Sequence, residues 1–319
     1  MDNRHSFEDM MDLQEDLLKM LEFGSPNDVK IKLSDGEIVA NMDILMARSE
    51  YFSTMFRNNR FIEGETNSVN MSHCSKAVME KIIKFLFSGR VTFLDLDFLQ
   101  LLELSHMSEM MLISKFKNKL DEYLLEIIRN GGKDVKFLPD LILGAKIADK
   151  YNLSSIGSNI MLEVFLKLKD ILNDDASSDA FKSLPFKVIR GIFLNKLKSE
   201  FCSKKPTTKQ KFDAFMVWLS KNEAEVTKED RNEIVESLNF KDFTVEELMT
   251  SVKDSGLYSG TEVDQRVLEC FKAQENILKA KNSEIEEKDS KITKLRRDLL
   301  GAISNHVPLH LEERYRKNL

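Results

Sequence analysis

The chain is poor in the two residues that most often interrupt helices, with 5 Pro and 12 Gly in 319 residues. That scarcity, against many Leu, Ile, Lys and Glu, tilts the whole chain toward helix and excludes Gly- and Pro-rich architectures. Cysteine is scarce too. Cys74, Cys202 and Cys270 stand far apart and share no metal-ligand spacing with histidines, so no metal site and no disulfide framework is expected. No run of about 18 apolar residues exists to span a bilayer, so no membrane partner is expected. The opening MDNRHSFEDMMD is acidic and lacks the apolar centre of an export signal; with thiols that read as free, the expected location is the cytoplasm or nucleus. A formal net charge of -6 gives no electrostatic reason to expect nucleic acid as a partner. Catalytic motifs are missing as well: there is no Gly-rich phosphate loop, Gly-x-Ser-x-Gly, His-Glu-x-x-His or Cys-x-x-Cys. A non-enzymatic protein without cofactor is expected.

What remains is a globular composition, 42% hydrophobic and 31% charged, on a chain long enough for two domains. Isolated reactive residues have plain readings. His73 and Cys74 are adjacent, so their side chains diverge rather than form a nucleophile and its base. His106, with Leu102 and Met110 nearby, reads as a packed or surface histidine. Lys294, Arg296 and Arg297 are interleaved with Asp289 and Asp298, which suits a solvated helix face better than a nuclear signal.

The most informative stretch runs from Asp28 to Glu63. Val29, Ile31 and Leu33 alternate with polar residues, the period of a half-buried strand. Ser34-Asp35-Gly36 supplies a tight turn, with Gly36 expected to take positive φ, and Ile38-Val39 restart an extended run. From Met42 the apolar spacing becomes helical through Ile44, Leu45, Tyr51, Phe52, Met55 and Phe56. Ahead of it, Phe7, Met10, Met11, Leu17, Leu18 and Leu21 share one broad face of a helix candidate over 6–23. Behind it, Val69 and Met71 mark a short strand. Ser75 opens a helix that Gly89 closes, Val91 to Phe93 suggests another short strand, and helices follow over 96–107 and 110–129.

Asp28-Val29, Leu45, Ser49, Tyr51-Phe52 and Met55-Phe56 are in step with the BTB (POZ) fold, which this segment resembles. Asn41 stands where that family usually has a buried His, and an amide can make some of the same hydrogen bonds. The resemblance implies an α+β domain whose leading helix packs across a two-fold axis, so Phe7, Met10, Met11, Leu17, Leu18 and Leu21 become the expected dimer interface. It also implies a partner. In BTB adaptors of cullin-3 ubiquitin ligases, a hydrophobic-x-Glu element soon after Met-Phe helps form the cullin-binding surface. Phe61-x-Glu63 fits that type about one residue late, which makes Met55, Phe56, Phe61 and Glu63 the expected cullin-binding residues.

Beyond Asn130-Gly131-Gly132 every periodic segment is helical. Ala148-Asp149-Lys150-Tyr151-Asn152-Leu153, Val217-Trp218-Leu219 and Ser255-Gly256-Leu257-Tyr258-Ser259 resemble the BACK domain that follows BTB in Kelch-like proteins. Pro206-Thr207-Thr208 replaces the Ser-Glu that often opens the Trp-bearing helix there. In the tail, Phe271, Leu278, Ile285, Ile292 and Leu299 recur every seventh residue, the seam of a coiled coil, while Gln274, Lys281, Lys288, Leu295 and Ala302 make a largely polar second seam. Too little chain follows residue 265 for Kelch repeats of roughly 50 residues, and no MATH domain precedes the BTB segment. The expected organisation is a BTB/POZ domain over 1–130, an all-α BACK-like domain over 131–265, a coiled-coil-like helix over 266–303 and a flexible tail over 304–319. The expected function is that of a dimeric adaptor linking a target protein to a cullin-3 ubiquitin ligase. The alternative is a self-associating scaffold, or a transcription or cytoskeletal cofactor, with no ubiquitin role.

Overall fold

A computed structural model describes residues 10–57, 66–131, 135–194, 205–238, 243–253, 255 and 260–306. The chain separates into two compact units, Met1–Ser237 and Leu238–Leu319. In the first, helix α1 (Met10–Phe23) precedes a hairpin of β1 (Asp28–Leu33) and β2 (Gly36–Asn41). Helices α2 (Met42–Arg48) and α3 (Glu50–Arg57) follow, then strand β3 (Ser68–Met71) and helix α4 (Lys76–Ser88). The three strands form one sheet in the order β2-β1-β3, with β1 antiparallel to β2 and parallel to β3. Val29, Ile31 and Leu33 project from β1 into the core beside Val69 and Met71, while Lys30 and Lys32 face outward, as period-2 alternation requires. The hairpin register sets Leu33 opposite Gly36, so Ser34 and Asp35 are the loop and neither has positive φ. Gly36, at φ 157°, already belongs to β2.

Helices α5 (Phe98–Met110) and α6 (Ser114–Gly131) complete the amino-terminal layer. Asp97 and Gln100 form a reciprocal capping box at the start of α5. Gly89 ends α4 in the left-handed region at φ 69°, its N–H donating to Phe85 O at 2.8 Å. Residues 91–93 are irregular rather than a strand, since they pair with neither edge of the sheet; Phe93 instead packs on Phe116 and Tyr123.

The rest of the first unit is helical: α7 (Leu138–Lys150), α8 (Ser154–Leu166), α9 (Leu168–Leu172), α10 (Asp175–Lys182), α11 (Phe186–Leu194), α12 (Thr208–Asn222) and α13 (Lys228–Glu236). Helix α7 is laid directly on α5. A methyl group on the buried Gly144 would sit 2.5 Å from the Phe98 ring, so only a glycine lets the two backbones come this close. Thr207 and Gln210 form a capping box at α12, which replaces the Ser-Glu opening by equivalent chemistry. On α12, Trp218 is buried beside Phe215 and donates from Nε1 to Leu184 O at 2.9 Å, tying that helix to the segment before α11. The second unit contains a helical turn at Val245–Glu247 running into a π-helical turn at Leu248–Val252, and the long helix α14 (Gly260–His306).

Candidate interaction surfaces

Helix α1 rests on α4 and β2 yet buries no side chain fully: from Leu13 to Phe23 every residue is exposed or half-buried. Leu17, Leu18 and Leu21 are half-buried, Leu13 is 56% exposed and Phe23 81%. Two grooves border the helix. One of about 310 Å³ is lined by Leu21, Ile38, Val39 and Ile83 with charged Lys76 and Glu80 at its rim. The other, of about 400 Å³, lies between Leu18 and the Arg90–Thr92 segment. Over residues 13–23 the apolar stripe of Leu17, Leu18 and Leu21 is half-covered by α4 and β2, and Leu13 and Phe23 stay open among charged residues. Met10 and Met11 belong to α1, and Phe7 lies outside the described residues.

The hairpin-to-helix junction sets the position of α3. Asn41 is buried and caps α2: its Oδ1 accepts from Ile44 N–H at 3.1 Å and its Nδ2 donates to Ser25 Oγ at 2.9 Å. One side chain thus satisfies a helix donor and secures the loop after α1, which an amide does as well as an imidazole. Ser49, buried between α2 and α3, donates from Oγ to Met111 O at 3.0 Å and so binds this corner to the end of α5. On α3, Phe52 and Phe56 stack at 6.0 Å on the inward face; Phe56 is 9% exposed, and half-buried Met55 carries the accessible apolar surface of the pair. Phe61 and Glu63 lie outside the described residues.

The isolated reactive groups are structural. His73 is exposed and Cys74 fully buried, so the adjacent side chains do diverge. Burial first, then the Glu103 carboxylate, pushes the Cys74 thiol far above its ordinary pKa, the opposite of an activated nucleophile. Glu103 accepts from Ser75 N–H at 2.7 Å and from Ser75 Oγ at 3.1 Å. Ser75 occupies the cap position of α4, but its hydroxyl bonds Glu103 and leaves the helix N–H groups uncapped by it. His106 stacks flat on Tyr151 at 4.3 Å, and burial lowers its pKa. Among the described residues no group of three or more His, Cys, Asp and Glu could hold a metal ion, and no helix is long and apolar enough to cross a membrane.

On α14 the heptad residues Leu278, Ile285, Ile292 and Leu299 are between 47% and 59% exposed. Lys294, Arg296, Arg297, Asp289 and Asp298 are all exposed along the same helix, the solvated mixture expected of them.

Residues 17–126 match the family model of the BTB/POZ domain, spanning α1 to α6. None of the curated proteins matches the chain. Among solved structures, the chain is similar to the BTB (Tramtrack and Bric a brac) domain of human Gigaxonin, at 21% identity over 39% of this chain and 99% of that one, with a TM-score of 0.31. It is also similar to the BTB domain of zebrafish PATZ1, at 17% identity over 40% of this chain and 98% of that one, with a TM-score of 0.30. Residues 17–126 of this chain are a BTB/POZ domain, a non-enzymatic module of protein interaction and self-association.

Proposed function

We propose that the protein is a dimeric adaptor that links a target protein to a cullin-3 ubiquitin ligase. The reading rests on one observation above the others: a BTB/POZ domain in which Met55-Phe56, in the last turn of α3, is followed in sequence by Phe61-x-Glu63. Those are the residue types, in the order, that the resemblance to cullin-3 adaptors calls for. An aromatic anchor entering a partner groove with an acid at its rim is an economical recognition element. Dimerisation through the incompletely covered stripe of α1 doubles it, and the second contact of a paired adaptor gains from its high effective concentration. The helical region over 131–265, in its resemblance to a BACK domain, extends the cullin-facing surface, and the α14 tail carries the choice of target. Ubiquitin transfer belongs to the recruited machinery; this chain supplies position, in the cytoplasm or nucleus.

The test is capture of purified cullin-3 by the wild-type chain and by Phe61→Ala/Glu63→Ala. Retention by wild type at micromolar concentration, with loss in the double variant, is the expected result. If neither protein retains cullin-3, the adaptor reading falls and a self-associating scaffold without a ubiquitin role takes its place.

A further inference from the structure

The long helix α14 holds its apolar stripe open to solvent, and the charges beside that stripe discriminate between ways of covering it. We propose that α14 pairs with α14 of a second copy of this chain, and that the two helices run antiparallel. This contact is separate from the BTB domain and does not depend on the cullin-3 reading.

Setting Leu278, Ile285, Ile292 and Leu299 at the a positions of a heptad puts Lys281, Lys288 and Leu295 at d. Glu275, Asn282, Asp289 and Arg296 then fall at e, and Ile277, Glu284, Lys291 and Asp298 at g. In a parallel, in-register pair each d residue meets itself, so Lys281 and Lys288 would face their own copies inside the seam. The flanks would be no better: Glu284 would lie beside the copy's Asp289 and Lys291 beside the copy's Arg296. Every charged contact would set like against like.

Reversing one helix pairs a with d, g with g and e with e. With Ile285 opposite the copy's Lys288, Leu278 meets Leu295 and Ile292 meets Lys281. Glu284 then faces Lys291 and Glu275 faces Arg296, each twice by symmetry. The lysines lay their methylene stems along Ile285 and Ile292 and carry the ammonium groups outward. Within the helix, Glu275 bonds Lys279 and Lys291 bonds Glu287, both at 2.6 Å, which holds these groups at the surface where a second opposite charge adds to the first. The register is selected too. A slide of one heptad one way sets Glu284 on itself and Glu275 on Asp289; the other way sets Lys291 and Asp289 on themselves. A slide of two heptads toward the carboxy end is again complementary, through Lys291 with Asp298 and Asp289 with Arg296, but leaves Leu278 without a counterpart.

The experiment uses the full chain with Cys202→Ser and Cys270→Ser; buried Cys74 takes no label. A nitroxide is placed on Asn276→Cys or, separately, Ser283→Cys, both on the outer face, and the distance to the copy is read by pulsed electron resonance. At 1.5 Å per residue, antiparallel pairing about this centre separates the two Ser283 labels by about 10 Å along the axis and the two Asn276 labels by about 30 Å. Equal distances at the two sites, or no defined distance at either, overturn the proposal. A second variant guards against loss of folding. Glu284→Lys should weaken the pairing about fivefold, and Glu284→Lys/Lys291→Glu should restore it. In a parallel pair the single substitution would strengthen the contact instead, and that outcome, or a failed rescue, also overturns it.

Discussion

If α1 pairs across a two-fold axis, its two most exposed apolar residues should carry much of the association. Leu13 is 56% exposed and Phe23 81% exposed in the single chain. Complete burial of a Leu or Phe side chain is worth about 1.5–3 kcal/mol, so covering what remains open is worth about 1 kcal/mol for Leu13 and about 2 kcal/mol for Phe23. Both chains contribute, which gives an upper limit of about 6 kcal/mol; halving it for incomplete coverage leaves about 3 kcal/mol, or about 100-fold in the dimer dissociation constant. Leu13→Ser/Phe23→Ser should therefore weaken the dimer about 100-fold while changing the stability of the single chain by no more than about 0.5 kcal/mol, because neither side chain is packed there. Sedimentation equilibrium over a dilution series measures the first quantity and a thermal melt the second. The comparison is made in a Glu284→Lys background, where pairing through α14 is about fivefold weaker. A constant that moves less than threefold, with an unchanged melt, would refute the assignment of Leu13 and Phe23 to the interface.

Two further expectations concern the fold itself. Leu112 closes α5 with φ 58°, a left-handed conformation that costs a leucine about 1 kcal/mol, and it is exposed; Leu112→Gly should raise stability by about 0.5–1 kcal/mol in denaturant unfolding, and a loss would show that its side chain matters more than its backbone. Burial holds the folded His106 pKa below its unfolded value of about 6.5, so its contribution is complete above about pH 6.5 and is lost as pH falls from there toward the lower folded value. His106→Gln should accordingly flatten the fall in unfolding free energy between about pH 7.5 and 5.5 relative to wild type, and an identical slope in the two proteins would assign that fall to other groups.

The parts of this fold that could be read in advance are those determined within a few residues. Alternation in Asp28–Leu33, the spacing of Phe52 and Phe56, and the glycine after α4 each act locally, and each appears where its pattern places it. Ser75 shows the limit of such reading. Its position at the head of α4 was legible, but its hydroxyl is taken by Glu103, 28 residues away, and only the packing of α5 on α4 brings that carboxylate near. Residues 91–93 alternate as a strand would, yet a strand needs a neighbour, and theirs is a cluster of aromatic rings. The end of α5 at Leu112 carries no stop signal at all. It is maintained from outside the helix: Ile113 is buried and donates from N–H to Ser108 O at 2.9 Å, and Ser49 bonds the carbonyl of Met111. Asn152 repeats the same left-handed closure after α7, with buried Leu153 donating to Ala148 O at 2.9 Å, and asparagine is a residue type suited to that conformation. Of the candidate cullin-binding residues, the inward turn of Phe56 follows from its spacing to Phe52.

If α1 and α14 both pair as proposed, the chain has two surfaces for self-association that obey different forces. Pairing through the Leu17, Leu18 and Leu21 stripe of α1 would be driven by area removed from water and would respond little to salt. The face of α14 is selected by ion pairs flanking a thin apolar seam, and exposed ion pairs lose most of their strength when ions screen them over less than about 10 Å. Two isologous contacts on one chain have only two outcomes: both close within the same pair of chains, or each joins a different neighbour and the assembly grows. Which outcome holds depends on whether the α14 helices of one α1-paired dimer can meet in opposite directions. Under these two proposals, the orientation in which α14 pairs bears on whether the protein stops at two copies.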